Sequence, residues 1–128
     1  MSGADLQTPL KRARGLGSAR FGTQHFIVQR VTALALVPLL IWTIFLALAL
    51  AHSDYAQARA IVHHPFAAVW LSAFLVATFW HAQLGLQVVI EDYVHTRWLE
   101  VSAQLATKFF CLAGALTSVL AVVRIALG

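Results

Sequence analysis

Cysteine is almost missing from this sequence: Cys111 is the only one in 128 residues. A disulfide framework and a thiolate metal cluster both need more than one. No CxxCH motif occurs, which excludes a covalently attached haem. Charge is scarce too. Lys, Arg, Asp and Glu make up 11% of the chain against 60% hydrophobic residues, a balance outside that of soluble domains. The scarcity is regional: no charged residue of these four types lies between Val31 and Ala51, or between His63 and Ile90. A third run, Phe109 to Leu127, carries only Arg124. About 20 apolar residues in a helix cover the roughly 30 Å of a bilayer's hydrocarbon core. An all-α integral membrane protein with three transmembrane helices is therefore expected. The first run is too long for the apolar core of a secretory signal, and its basic flank lies far upstream.

The net charge of +4 is distributed unevenly. Lys11, Arg12, Arg14, Arg20 and Arg30 precede the first apolar run, and Arg97 follows the second. Lys108 can snorkel toward the same side, leaving Arg59 and Arg124 for the other. Positive residues gather on the cytoplasmic face, so the amino terminus is expected inside and the carboxyl terminus in the periplasm. Residues 11–20 lack the interleaved aromatics of a nucleic-acid-binding arm, and no nucleic-acid partner is expected. No dinucleotide fingerprint is present.

Residues 1–24 read as a polar cytoplasmic arm with scattered glycines, and residues 25–128 as the membrane domain. Helices are expected over about 24–51, 65–90 and 101–127. Pro38 removes a backbone donor inside the first, predicting a mild kink. His52–His64 reads as the outer connection, where Pro65 suits the first turn of the next helix. Glu91–Glu100 reads as the inner one. Trp70 near one end of the second helix, and Tyr93 and Trp98 beyond the other, fit interfacial aromatic belts. Cys111 reads as a small packing residue.

Of six histidines, only His81 lies well inside an apolar run, about 14 Å along the helix from Ile90. An ionisable side chain at that depth is expensive and marks a functional candidate. Two readings are open: a hydrogen bond across to Ser, Thr or a carbonyl, or a metal ligand. As a ligand it would need its companion from another polypeptide, because no second histidine lies inside a span of this chain. Gly85 at i+4, Val88 and Asp92 at i+11 share its face if the helix stays regular. The missing side chain at Gly85 leaves a slot for a porphyrin edge or for a close-packed helix. Asp92-Tyr93, at the end of that helix, can be an interfacial anchor. Alternatively the Tyr93 hydroxyl can donate to the carbonyl of a lipid-soluble substrate, with Asp92 beside it.

The segment from His81 to Tyr93, HxxxGxxxxxxDY, closely resembles the small hydrophobic anchor of succinate dehydrogenase, respiratory complex II. Phe26-Ile27-Val28-Gln29-Arg30-Val31-Thr32-Ala33 is similar to that family's entry to helix one. The resemblance covers roughly residues 15–128. It implies His81 as one axial ligand of haem b, with a histidine of a second, cytochrome b anchor subunit as the other. It implies Tyr93 on the ubiquinone head group with Asp92 in the same site, Arg30 on a haem propionate, and His25 nearby. It further implies an iron–sulfur subunit and a flavoprotein subunit as partners, carrying the iron–sulfur clusters and FAD. The chain alone would not oxidise succinate. The expected location is a bacterial inner membrane, crossed several times in contact with lipid. A quinol:fumarate reductase anchor is the alternative, as is a haem-free structural anchor. A proton channel would want carboxylates inside the spans, and there are none.

Overall fold

The structure is a computed structural model, and it describes residues 8–10 and 20–128. Over residues 20–128 the chain forms four helices, and no strand occurs among the described residues. Helix α1 covers Arg20–Ala51, α2 covers Tyr55–His63, α3 covers Pro65–Tyr93 and α4 covers Arg97–Leu127. Three of them, α1, α3 and α4, are long and apolar enough to cross a membrane. The all-helical, three-span expectation is met. Most of the arm expected over 1–24 lies outside the described residues, but α1 already begins at Arg20, four residues before its expected start.

Two boundaries differ from expectation for identifiable reasons. The outer connection contains α2, a helix the turn signals concealed. Asp54 caps it by accepting from the Gln57 amide at 2.8 Å, and the Gln57 side chain accepts from the Asp54 amide at 3.2 Å. This reciprocal capping box satisfies two otherwise orphaned donors. The inner connection shrinks to Val94, His95 and Thr96, because α3 continues through Tyr93 and α4 starts at Arg97. Glu91, Asp92 and Tyr93 are thus helical and do not belong to a loop.

Helix α3 is the middle of a row. It packs against both α1 and α4, while no Cα of α1 lies within 8 Å of one in α4 among the described residues. On α1 the less exposed positions include a series spaced alternately by four and three, His25, Gln29, Thr32, Leu36, Leu39, Thr43, Leu46 and Leu50, with Val28, Ala33 and Trp42 beside it. On α3, Ala67, Trp70, Phe74, Ala77, His81 and Leu84 form a like series among its covered positions. A repeat averaging 3.5 residues keeps one seam facing a neighbour as in a left-handed pair of helices. Trp42, Phe66 and Trp70 close the seam near α2, with ring centroids 5.4–6.1 Å apart. Such aromatic clusters contribute about 0.5–1.5 kcal/mol per pair beyond their burial.

The α3–α4 contact follows another rule. Small residues on α4, including Ala103, Thr107, Cys111, Gly114, Ala115 and Ser118, are its partly covered positions. Small residues let membrane helices approach closely. At Gly114 the approach is tight: a Cβ there would lie 2.5 Å from Cε1 of Phe79. Cys111 belongs to this row as a packing residue, also lining a small cavity with Phe79, Trp80, Gln83 and Lys108.

Candidate functional site

His81 sits on the α1 side of α3, and its partner is Thr32. Nδ1 of His81 lies 3.0 Å from the Thr32 hydroxyl oxygen. Thr32 is the one buried polar residue among those described, at 8% exposure. Its Oγ1 is also 2.9 Å from the Val28 carbonyl and 3.0 Å from the Gln29 carbonyl, in its own helix. This is the cross-helix bond that the non-ligand reading of His81 expected. It engages one ring nitrogen only. Nε2 of His81 has no hydrogen-bond partner among the described residues.

The face leading from His81 is open. Helix α3 is unbroken through Asp92, so Gly85, Val88 and Asp92 fall within about 40° of His81 around the axis. A Cβ built on Gly85 would meet nothing within 4 Å. Of the two uses of that glycine, close packing by a helix of this chain is therefore ruled out by the geometry. The space beside it is free for another molecule. Asp92 is exposed, and Tyr93, at 79% exposure, stands about 120° around from His81 and about 18 Å along the axis. No partner for either side chain is present among the described residues, so this chain by itself does not enclose a pocket there.

Arg30 and His25 take different positions. Arg30 is exposed, stands roughly 130° from the centre of the α1 seam, and holds its guanidinium 5.0 Å above the Phe26 ring. The structure does not bring it to His81. His25 lies in the seam itself, two turns from Thr32, with a buried Nε2 that has no hydrogen-bond partner. Thr32 is the residue that sequence reasoning left without a role. Its signal was a hydroxyl in an apolar run, at a height on α1 that matches His81 on an antiparallel neighbour.

A second polar track runs down the α4 side of α3. Gln83 donates to Gln87 at 3.5 Å, and Gln87 donates to Glu91 at 2.9 Å. It carries polar side chains from the inner connection into the span without reaching His81. At the opposite end, a cavity of about 810 Å³ between α2 and α4 is lined by Arg59, Arg124 and apolar side chains. Arg59 there donates to the Gly128 carbonyl at 2.9 Å, and His63 Nδ1 donates to the Ile125 carbonyl at 3.0 Å. These bonds fasten α2 to the end of α4, far from His81.

Could these residues hold a haem? Among the described residues no three His, Cys, Asp or Glu side chains converge on a metal position. A single imidazole with a free nitrogen, a braced opposite nitrogen and a clear flank fits an axial ligand of a haem shared with another chain. Metal-bound histidines commonly engage their second ring nitrogen in a hydrogen bond of this kind.

Comparison with known proteins bears on the same residues' context. Residues 4–122 match the profile of the family described as succinate dehydrogenase/fumarate reductase transmembrane subunit. The chain is 31% identical to the succinate dehydrogenase hydrophobic membrane anchor subunit of Rickettsia bellii over 118 residues, 92% of this chain and 94% of that one. Its counterpart from Rickettsia felis is 32% identical over 84% of this chain and 86% of its own. The Paracoccus denitrificans anchor subunit is 38% identical over 67% of each. No solved structure matches the chain.

Proposed function

Because the chain belongs to the family of succinate dehydrogenase/fumarate reductase transmembrane subunits, we propose that it does more than hold that complex in the membrane: it supplies one ligand to a shared haem b and part of the ubiquinone site. Its membrane-anchoring role rests on the family and on three apolar spans. The finer reading rests on one observation, the His81 ring braced at Nδ1 and free at Nε2 beside an open Gly85 flank. When bound, the haem provides one-electron storage next to the quinone site.

Each residue then has a task. His81 would hold the haem iron through Nε2, with a second anchor subunit supplying a further ligand. Gly85 leaves room for the porphyrin edge. Arg30 would pair with a haem propionate, which requires it to leave the Phe26 ring. Tyr93 donates its phenolic hydrogen bond to a quinone carbonyl at the membrane interface, and Asp92 lies in the same site. Quinone enters from lipid, yet its conversion to quinol takes up two electrons and two protons. A tyrosine at the interfacial end of a span meets both demands, being reached from the bilayer and from water. Electrons come from an iron–sulfur subunit docked on the inner face, and succinate is oxidised in a flavoprotein subunit carrying FAD. The carboxyl terminus lies on the periplasmic side of a bacterial inner membrane.

The test is His81→Ala in the assembled complex. Reduced b-type absorbance per complex falls sharply while the anchor still co-purifies with its partners. Unchanged haem content and spectrum would remove His81 from the iron.

A further inference from the structure

We propose that Thr32 is the positioning residue for His81, its hydroxyl accepting from Nδ1–H and so holding the ring in the tautomer whose Nε2 lone pair is free. This rests on the reading of His81 as a haem ligand and extends it to the opposite helix. The argument concerns one proton. Thr32 has a single hydroxyl hydrogen and three neighbours at 2.9–3.0 Å, namely the Val28 carbonyl, the Gln29 carbonyl and His81 Nδ1. Both carbonyls can only accept. Elsewhere in the chain, Thr43, Ser53, Ser102, Thr107 and Thr117 each give their proton to the carbonyl four residues back, at 2.7–2.9 Å. Thr32 has the same geometry. With its proton turned toward its own helix, its oxygen faces His81 as an acceptor, and Nδ1 must carry the hydrogen.

Burial sharpens the assignment. Thr32 is covered by the α1–α3 seam at 8% exposure, so water does not compete for its oxygen. A neutral imidazole with hydrogen on Nδ1 has its remaining lone pair on Nε2, the nitrogen with no partner here. The bond also fixes the plane of the ring, since Thr32 is anchored to a helix. Accepting from Nδ1–H raises the electron-donating power of Nε2, which favours the oxidised iron.

Two substitutions separate the hydroxyl from the bulk of the side chain. Thr32→Val keeps the shape and loses the hydroxyl, whereas Thr32→Ser keeps the hydroxyl and loses a methyl. In the purified complex, haem transfer to excess apomyoglobin, the electron paramagnetic resonance spectrum of the oxidised haem and its midpoint potential are read. Thr32→Val speeds haem loss by about 10-fold or more, alters the resonance positions and raises the potential; Thr32→Ser stays close to the parent. If Thr32→Val fails to assemble, Thr32→Ala, which adds no bulk, carries the same expectation. A Thr32→Val complex indistinguishable from the parent, or equal damage from Val and Ser, overturns the proposal. His81→Ala in the same assays isolates the premise: retained haem there sinks the ligand reading, whereas haem loss there with an unaltered Thr32→Val complex sinks only the role of Thr32.

Discussion

A single hydrogen bond joins His81 to Thr32, and only the first of these two residues is legible in the sequence. His81 stands out because an imidazole deep in an apolar run is costly. Thr32 does not, because a hydroxyl in a membrane helix can satisfy itself on its own backbone. Its link to His81 depends on the register of two antiparallel helices, which no local pattern contains. Gly85 offers a slot for a porphyrin edge or a close-packed helix, and the empty space around it shows that no helix of this chain fills it. Adding a side chain there is therefore expected to spare the fold and harm the site. Gly85→Leu improves helix propensity by about 1 kcal/mol and meets no atom of this chain at its Cβ. Assembly is retained and b-type absorbance falls, as a spectrum of the purified complex will reveal; full haem content would mean the slot is unused. Tyr93 is exposed and meets no partner among the described residues. Tyr93→Phe removes a donor whose hydrogen bond contributes about 1 kcal/mol or more, so quinone reduction falls by about tenfold while succinate oxidation by a soluble dye is preserved. Equal loss in both assays would indicate damaged assembly.

At the scale of the helices, existence was easier to read than faces. The three spans follow from length and hydropathy, but these helices are apolar nearly all round. The polar–apolar stripe that reveals a packed face in water is therefore weak. The 3.5-residue seam of α1 and the small-residue row of α4 emerge only once neighbours are in place. The Gly114–Phe79 contact gives the second of these a sharp test. Gly114→Ala forces the Phe79 ring or the helices apart, an overpacking that costs about 1–3 kcal/mol, and lowers the melting temperature of the complex. Combining it with Phe79→Leu restores much of the loss, because the two changes share one contact. A purely additive double variant would contradict the packing described. Helix α2 was missed even though Asp54 and Gln57 stand at capping-box spacing, since a short polar segment between spans invites a loop reading. Asp54→Ala costs α2 about 1 kcal/mol. Hydrogen exchange quickens over Tyr55–His63 and stays unchanged in α3; uniform protection in both would show that tertiary bonds, such as that of Arg59 to Gly128, carry α2 instead.

The whole molecule is a row of three spans that covers little of itself. Only 11%, 6% and 6% of the most apolar stretches of α1, α3 and α4 are buried within the chain. The uncovered faces are those of an anchor that meets lipid and other subunits, and the open flank of His81 is among them. Three crossings would put the two termini on opposite sides, and the basic excess on the Arg20 and Arg97 end is the ground for proposing that end as the cytoplasmic one. Alkaline phosphatase fused after Gly128 is then active and a green fluorescent protein there is dark, whereas the reverse pair would invert the topology. The central claim is that His81 shares an iron with another chain, and a density map of the intact complex reaches it most directly. The expected map has a porphyrin over Gly85 with its iron on Nε2 of His81 and Nδ1 still against Thr32. A His81 ring surrounded only by protein or lipid, with any porphyrin held elsewhere, would contradict it.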